Sequence, residues 1–112
     1  MILHNYLSNS GRDLIYEYIN SLPEAEKIDG YTVLQHMEKG EFDKVLFKRW
    51  EKKVYEVYFQ KNNSVFYITV DKENIYLLHS CRKQKNKTEK KDANIVRKRA
   101  KELGNMLGRK FI

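Results

Sequence analysis

The chain has 112 residues, of which 41% are hydrophobic, with a single cysteine and a formal net charge of +7. That length supports one ordinary core and is too short for two, so a single domain over residues 1–112 is expected. One cysteine excludes an internal disulfide framework, no apolar run approaches the roughly 20 residues that cross a bilayer, and the opening MILHNYL lacks the features of a secretory signal, which predicts a cytoplasmic protein with no membrane partner.

Asn9 and Ser10 are capping residue types, and Leu14, Ile15, Tyr18 and Ile19 follow at helical spacing, predicting a first helix that stops near Leu22-Pro23. Pro23 suits the first turn of a second helix, with Glu24 and Glu26 near its positive end and Ile28, Tyr31, Leu34 and Met37 as its apolar stripe. Gly30 interrupts that stripe and Gly40 ends it. Phe42, Val45, Phe47 and Trp50 then predict some strand and a hydrophobic plug. Strands are expected over Val54 to Gln60, Val65 to Val70 and Ile75 to Cys81, separated by polar turns at 61–64 and 71–74. Links this short demand antiparallel neighbours. Thr88 is the expected cap of a last helix running through Ala93, Val96, Ala100 and Leu103 toward Met106 and Leu107. The predicted class is α+β: two N-terminal helices, a small, mainly antiparallel sheet of three to five strands, and a C-terminal helix.

Charge is distributed unevenly over these elements. From Ser80 to Ile112 there are twelve Lys or Arg against Glu89, Asp92 and Glu102, while the preceding 79 residues carry a net −2. Such asymmetry points to a polyanion. The predicted nucleic-acid contacts are Arg82, Lys83, Lys85, Lys87, Lys90 and Lys91 around the junction of last strand and helix, and Arg97, Lys98 and Lys101 further along. Arg97 to Arg99 with Lys101 sweep around most of a helical turn, so they cannot all grip one phosphate ridge, and a solvated charge run is the plainer alternative. His4, His36, His79 and Cys81 are scattered without close ligand spacing, so neither a structural zinc nor another cofactor is predicted.

Glu56 within Val54-Tyr55-Glu56-Val57-Tyr58, the run Ile75-Tyr76-Leu77-Leu78-His79-Ser80-Cys81-Arg82-Lys83, and Lys87-Thr88 before a basic helix resemble the small toxins of bacterial toxin–antitoxin modules. The branch is the HigB and phage Gp49-like one of the RelE/ParE superfamily. The resemblance implies a compact α+β toxin, usually a ribosome-dependent endoribonuclease that cuts messenger RNA and is silenced, in a toxin–antitoxin hetero-oligomer, by a small cognate antitoxin. It places the family's loop lysines on Lys83 and Lys87, the strand histidine on His79 and the strand glutamate on Glu56. Its two strand arginines fall on Tyr58 and Tyr67, its loop aromatic on Cys81, the second of its lysine pair on Gln84 and its proline on Glu89.

RNA cleavage without a metal needs a 2′-hydroxyl deprotonated, phosphorane charge stabilised and the departing 5′-oxygen protonated. Lys83 and Lys85 are expected to supply charge, with Arg82 and Lys87 beside them. Tyr58 and Tyr67 either orient phosphate or stack on bases, provided the turn pairs them on one sheet face, or are packing residues with wet tips. His79 is either the leaving-group acid or a hydrogen-bonded core histidine, and Glu56 either a base or the partner of Arg49 or a loop lysine. Cys81, near so many cations, is expected to have a depressed pKa. The alternatives to the nuclease are a catalytically silent nucleic-acid binder on the same fold, a gyrase-directed toxin, and a structural phage or host-interaction protein.

Overall fold

The computed structural model describes residues 1–85 and 87–112. At its centre is the expected antiparallel meander, made of strands β3 (Val54–Phe59), β4 (Asn63–Thr69) and β5 (Asn74–Arg82). Strand β2 (Leu46–Glu51) adds antiparallel to β3 at one edge, and β1 (Ile2–Asn5) adds parallel to β5 at the other, giving the order β1-β5-β4-β3-β2. Helices α1 (Leu14–Asn20) and α2 (Glu24–Glu38) cover one face, and α3 (Lys90–Leu107) packs on the opposite face. The fold is therefore α+β with a five-stranded mixed sheet, as the pattern predicted in class.

Strand alternation explains the two cores. On β3, Val57 and Phe59 join Ile15, Ile19, Leu34 and Met37 under the first two helices, whereas Val54 joins Phe66, Ile68 and Leu78 against Val96, Ala100 and Leu103 of α3. A sheet covered on both faces has little reason to alternate apolar with polar, and β4 is buried from Asn63 through Ile68.

Several local expectations are corrected. The cap of α1 is Asp13, whose Oδ1 accepts from the Tyr16 amide at 2.9 Å, and not Asn9 or Ser10. The inward face of α2 is Glu26, Gly30, Val33, Leu34 and Met37, leaving Ile28 57% exposed. Gly30 explains the rotation: a Cβ there would lie 3.0 Å from the Phe59 ring, so the glycine is where helix and sheet come closest. The predicted turn at 61–64 is shorter, because Asn63 and Ser64 are fully buried members of β4. Glu89, rather than Thr88, precedes the first residue of α3, and it offers no side-chain cap. β1 was not foreseen at all.

The chain closes through its last residues. Gly108 ends α3 in the left-handed region at φ +67°, and the Arg109 amide donates back to the Gly104 carbonyl at 2.9 Å. Phe111 is then 2% exposed in the α3 core, and its carbonyl accepts from the Lys53 amide at 3.2 Å.

Candidate nucleic-acid interface

The register of the meander decides which polar residues meet. Lys48 pairs with Glu56, Glu56 with Phe66, and Phe66 with His79; Leu46 pairs with Tyr58, Tyr58 with Ser64, and Ser64 with Cys81. Cross-strand partners share a face, so all of these lie on the α3 side of the sheet. A register shift leaves Leu78 as an extra residue between the partners of Phe66 and Tyr67, and such bulges re-aim side chains. Beyond it His79, Cys81 and Lys83 follow at intervals of two along β5 and the residue after it.

Their convergence produces a buried ionic network. Glu56 is fully buried, and both its oxygens accept from the Lys83 ammonium, Oε1 at 3.1 Å and Oε2 at 3.0 Å. Oε1 also accepts from the Tyr58 hydroxyl at 2.8 Å and Oε2 from the Ser64 hydroxyl at 2.9 Å. Lys48, more than half exposed, reaches to 3.8 Å from Oε1. The ammonium groups of Lys48 and Lys83 lie 5.5 and 5.3 Å from the centre of the Tyr58 ring, within cation–π range. Burial, and then the neighbouring carboxylate, push the Tyr58 hydroxyl above its ordinary value, so it stays a proton donor. This network borders a cleft of about 800 Å³ lined by Lys44, Leu46, Lys48, Tyr58, Lys61 and Lys83.

Next along the face, His79 Nε2 stands 2.8 Å from Asp92 Oδ1, and Arg99 faces the other ring nitrogen at 3.4 Å while donating to the Leu78 carbonyl at 2.8 Å. Burial holds the imidazole below its ordinary value, with Asp92 pulling the other way. The hydrogen-bonded reading of His79 is thus the one the geometry matches. Cys81 is corrected in sign: burial pushes its thiol up to about 12, outweighing the nearby Lys83. Spacing along the chain gave no hint that His79, Cys81 and Asp92 would come together, yet one ligating atom from each lies within 4.8 Å of the others.

Tyr67 is not brought to this site. It pairs with Tyr55, on the α1 and α2 side, and is 2% exposed among Phe42, Tyr55 and Val65, so the condition that turned Tyr58 and Tyr67 to one face fails. Burial raises its phenol above the ordinary value of 10.0. The native state therefore keeps a proton that the unfolded chain gives up above pH 10, so this contribution is complete below pH 10 and is lost as pH climbs past it. Urea unfolding between pH 8 and about 11 should show a smaller alkaline loss of stability for Tyr67→Phe than for the parent protein; identical profiles would contradict the core placement.

Arg82 is also engaged otherwise. Its guanidinium donates to Glu26 Oε1 and to the Lys61 carbonyl, both at 2.7 Å, while Asn63 donates to Glu26 at 2.8 Å and to the Gln60 carbonyl at 2.6 Å. Asn63, then Arg82, hold the Glu26 carboxyl below its usual range. These bonds fasten the turn where Lys61 and Asn62 take φ of +65° and +63°. Lys85, Lys87, Lys90, Lys91, Lys98 and Lys101 are exposed. Arg97 is exposed but paired with Glu51 at 3.0 Å and laid over Trp50 at 5.2 Å. Arg49, offered as a partner for Glu56, pairs with Tyr55 and so faces away, and the loop lysine Lys83 takes that place. Lys48 and Ser64 were missed. Lys48 was legible in principle, since strand pairing sets it opposite Glu56, but Ser64 was assigned to a turn.

Among comparisons with known proteins, the family model described as Phage derived protein Gp49-like (DUF891) matches residues 17–101. The match takes in α2, β2 to β5 and most of α3, and hence every member of the network around Glu56. No curated protein matches the chain. Among the described residues, no helix is long and apolar enough to cross a membrane.

Proposed function

Because this chain belongs to the family of phage-derived Gp49-like proteins, we propose that it is a toxin of the RelE/ParE superfamily, close to its HigB branch, which cleaves translated messenger RNA on the ribosome without a metal. A cognate antitoxin, bound in a hetero-oligomer, would hold it silent. The observation that carries this reading is the network itself: a tyrosine hydroxyl and two lysine ammoniums gathered around one buried carboxylate at the edge of an open cationic cleft.

In this mechanism a phosphate of the message lies in the cleft against Lys48, and the Tyr58 hydroxyl, which donates to Glu56 in the free protein, turns its one proton to the phosphate as it binds. As the 2′-oxygen bonds to phosphorus its proton passes to water in the open cleft. The bond to the 5′-oxygen of the next nucleotide breaks and that oxygen takes a proton from the exposed Lys48 ammonium, which solvent restores, while Lys83 stabilises the charge that builds on the phosphorane. Glu56 is the positioning residue that fixes Lys83 and Tyr58. Lys85 and Lys87, both exposed, and Lys90 and Lys91 in the first turn of α3 extend the positive rim for the flanking backbone. His79 is placed beside this group and tied to Asp92, which suits proton transfer less than holding the start of α3.

A second reading has its own support. Lys83 directs two of its three donors to Glu56, which suits a rigid binding surface as well as a catalytic one. Mapping of 5′ ends on a reporter message in a translating extract separates the two. Breaks that need ribosomes and fall about a hundredfold in Lys48→Ala, a change at an exposed side chain whose urea midpoint is measured alongside, are the expected result. Intact message, with RNA binding that weakens steeply with salt, would instead leave the silent binder.

A further inference from the structure

Beside the lysine network, His79 and Cys81 share a face of β5, and Asp92 is delivered to them by the first turn of α3. One ligating atom from each lies within 4.8 Å of the other two, and His79 Nε2 is 2.8 Å from Asp92 Oδ1. In a tetrahedral zinc site the bonds are about 2.0–2.3 Å, which places neighbouring ligand atoms about 3.3–3.6 Å apart. The contact between His79 and Asp92 therefore has to open slightly and Cys81 has to close by about 1 Å, movements that side-chain torsions supply.

We infer that His79, Cys81 and Asp92 form a three-ligand site for a soft divalent cation of the zinc type, with the fourth position left to water. The donor set selects the ion: an imidazole and a thiolate favour zinc or cobalt, whereas magnesium and calcium prefer oxygen alone. On binding, the Cys81 thiol releases its proton to solvent as the metal–sulfur bond forms. The imidazole keeps one proton, which passes to the nitrogen facing Arg99. Arg99 remains satisfied because it already donates to the Leu78 carbonyl at 2.8 Å. Thiolate and carboxylate together match the charge of the ion. The site is enclosed, with Cys81 and Asp92 each 8% exposed, so the ion would pin the first turn of α3 to the end of β5. The inference stands apart from the nuclease reading, since binding requires neither RNA nor catalysis.

Titration of the reduced, metal-stripped protein with cobalt(II) tests it. The expected result is one equivalent bound with a near-ultraviolet thiolate-to-cobalt charge-transfer band and the visible bands of tetrahedral cobalt, both erased by zinc. Cys81→Ser should lose the charge-transfer band, and Asp92→Asn should bind at least about tenfold more weakly. His4→Gln and His36→Gln should leave the spectrum unchanged. A folded wild-type protein that shows no charge-transfer band at excess cobalt overturns the site, as does stoichiometric binding that survives Cys81→Ser unaltered. Should Cys81→Ser fail to fold, the wild-type spectrum decides alone.

Discussion

Glu56→Ala is expected to destabilise the protein by about 3–5 kcal/mol, because it strands the Lys83 ammonium in a site where its side chain is only 5% exposed. Lys83→Ala should be comparably harmful, leaving a fully buried carboxylate with the Tyr58 and Ser64 hydroxyls as its hydrogen-bond donors. The pair behaves differently when removed together. Glu56→Gln combined with Lys83→Met keeps the volume, retains a partner for both hydroxyls and buries no charge, and it should return to within about 1–2 kcal/mol of the parent. Urea unfolding of the parent, Glu56→Gln, Lys83→Met and the double variant gives the cycle, with the two alanine variants measured beside it. Single substitutions that each cost less than about 1 kcal/mol would mean that the network is far wetter than its burial indicates. The double variant also separates stability from activity: folded but unable to cut message, it would place the Glu56–Lys83 pair in the chemistry rather than only in the core.

A second large effect is expected from Gly104→Ala, a change that helix propensity alone would favour by about 1 kcal/mol. A methyl group at this position would run into the carbonyl oxygen of Arg109, which is backbone and has no rotamer by which to withdraw. The tail from Arg109 must then lift, taking Phe111 out of the α3 core and breaking the bonds of Arg109 to the Val70 carbonyl and of the Phe111 carbonyl to Lys53. Exposing the phenylalanine ring forfeits about 1.5–3 kcal/mol, which outweighs the gain within the helix, for a net loss of about 1–3 kcal/mol. Brief proteolysis should trim the tail of the variant and spare the parent. A variant as stable as the parent, with its tail protected, would show that the seat of Phe111 is misplaced.

What could be read from the sequence divides along a physical line. The meander, the two N-terminal helices and the basic final helix rest on local periodicity and short links, and they are present with shifted ends. β1 rests on nothing local, since Ile2 to Asn5 is too short to show a period and its partner lies at Asn74 to Leu77. The site divides similarly. Lys83 and Tyr58 converge because alternation along β3 and β5 can be counted, whereas Tyr67 was misplaced because its face depends on where the turn ends, and the true turn is shorter than its polar composition suggested. A one-residue error of that kind moves a side chain through the sheet. Arg82 looked like a phosphate contact because Glu26, its partner, is 56 residues away and was assigned to the helix dipole.

The parallel pairing of β1 with β5 also fixes an order of events. Strands β2 to β5 follow one another through short connections, so each can dock on its predecessor as soon as it emerges, at small entropic cost. The first strand made has no such neighbour. Leu3 must wait for Ile75, and His4 for Tyr76, each 72 residues further along the chain. Through that interval its backbone donors and acceptors have only water or a foreign strand to bind. The edge of the sheet that is translated first is thus the last to be completed, and for as long as it waits the nascent chain carries an unsatisfied template for mispairing.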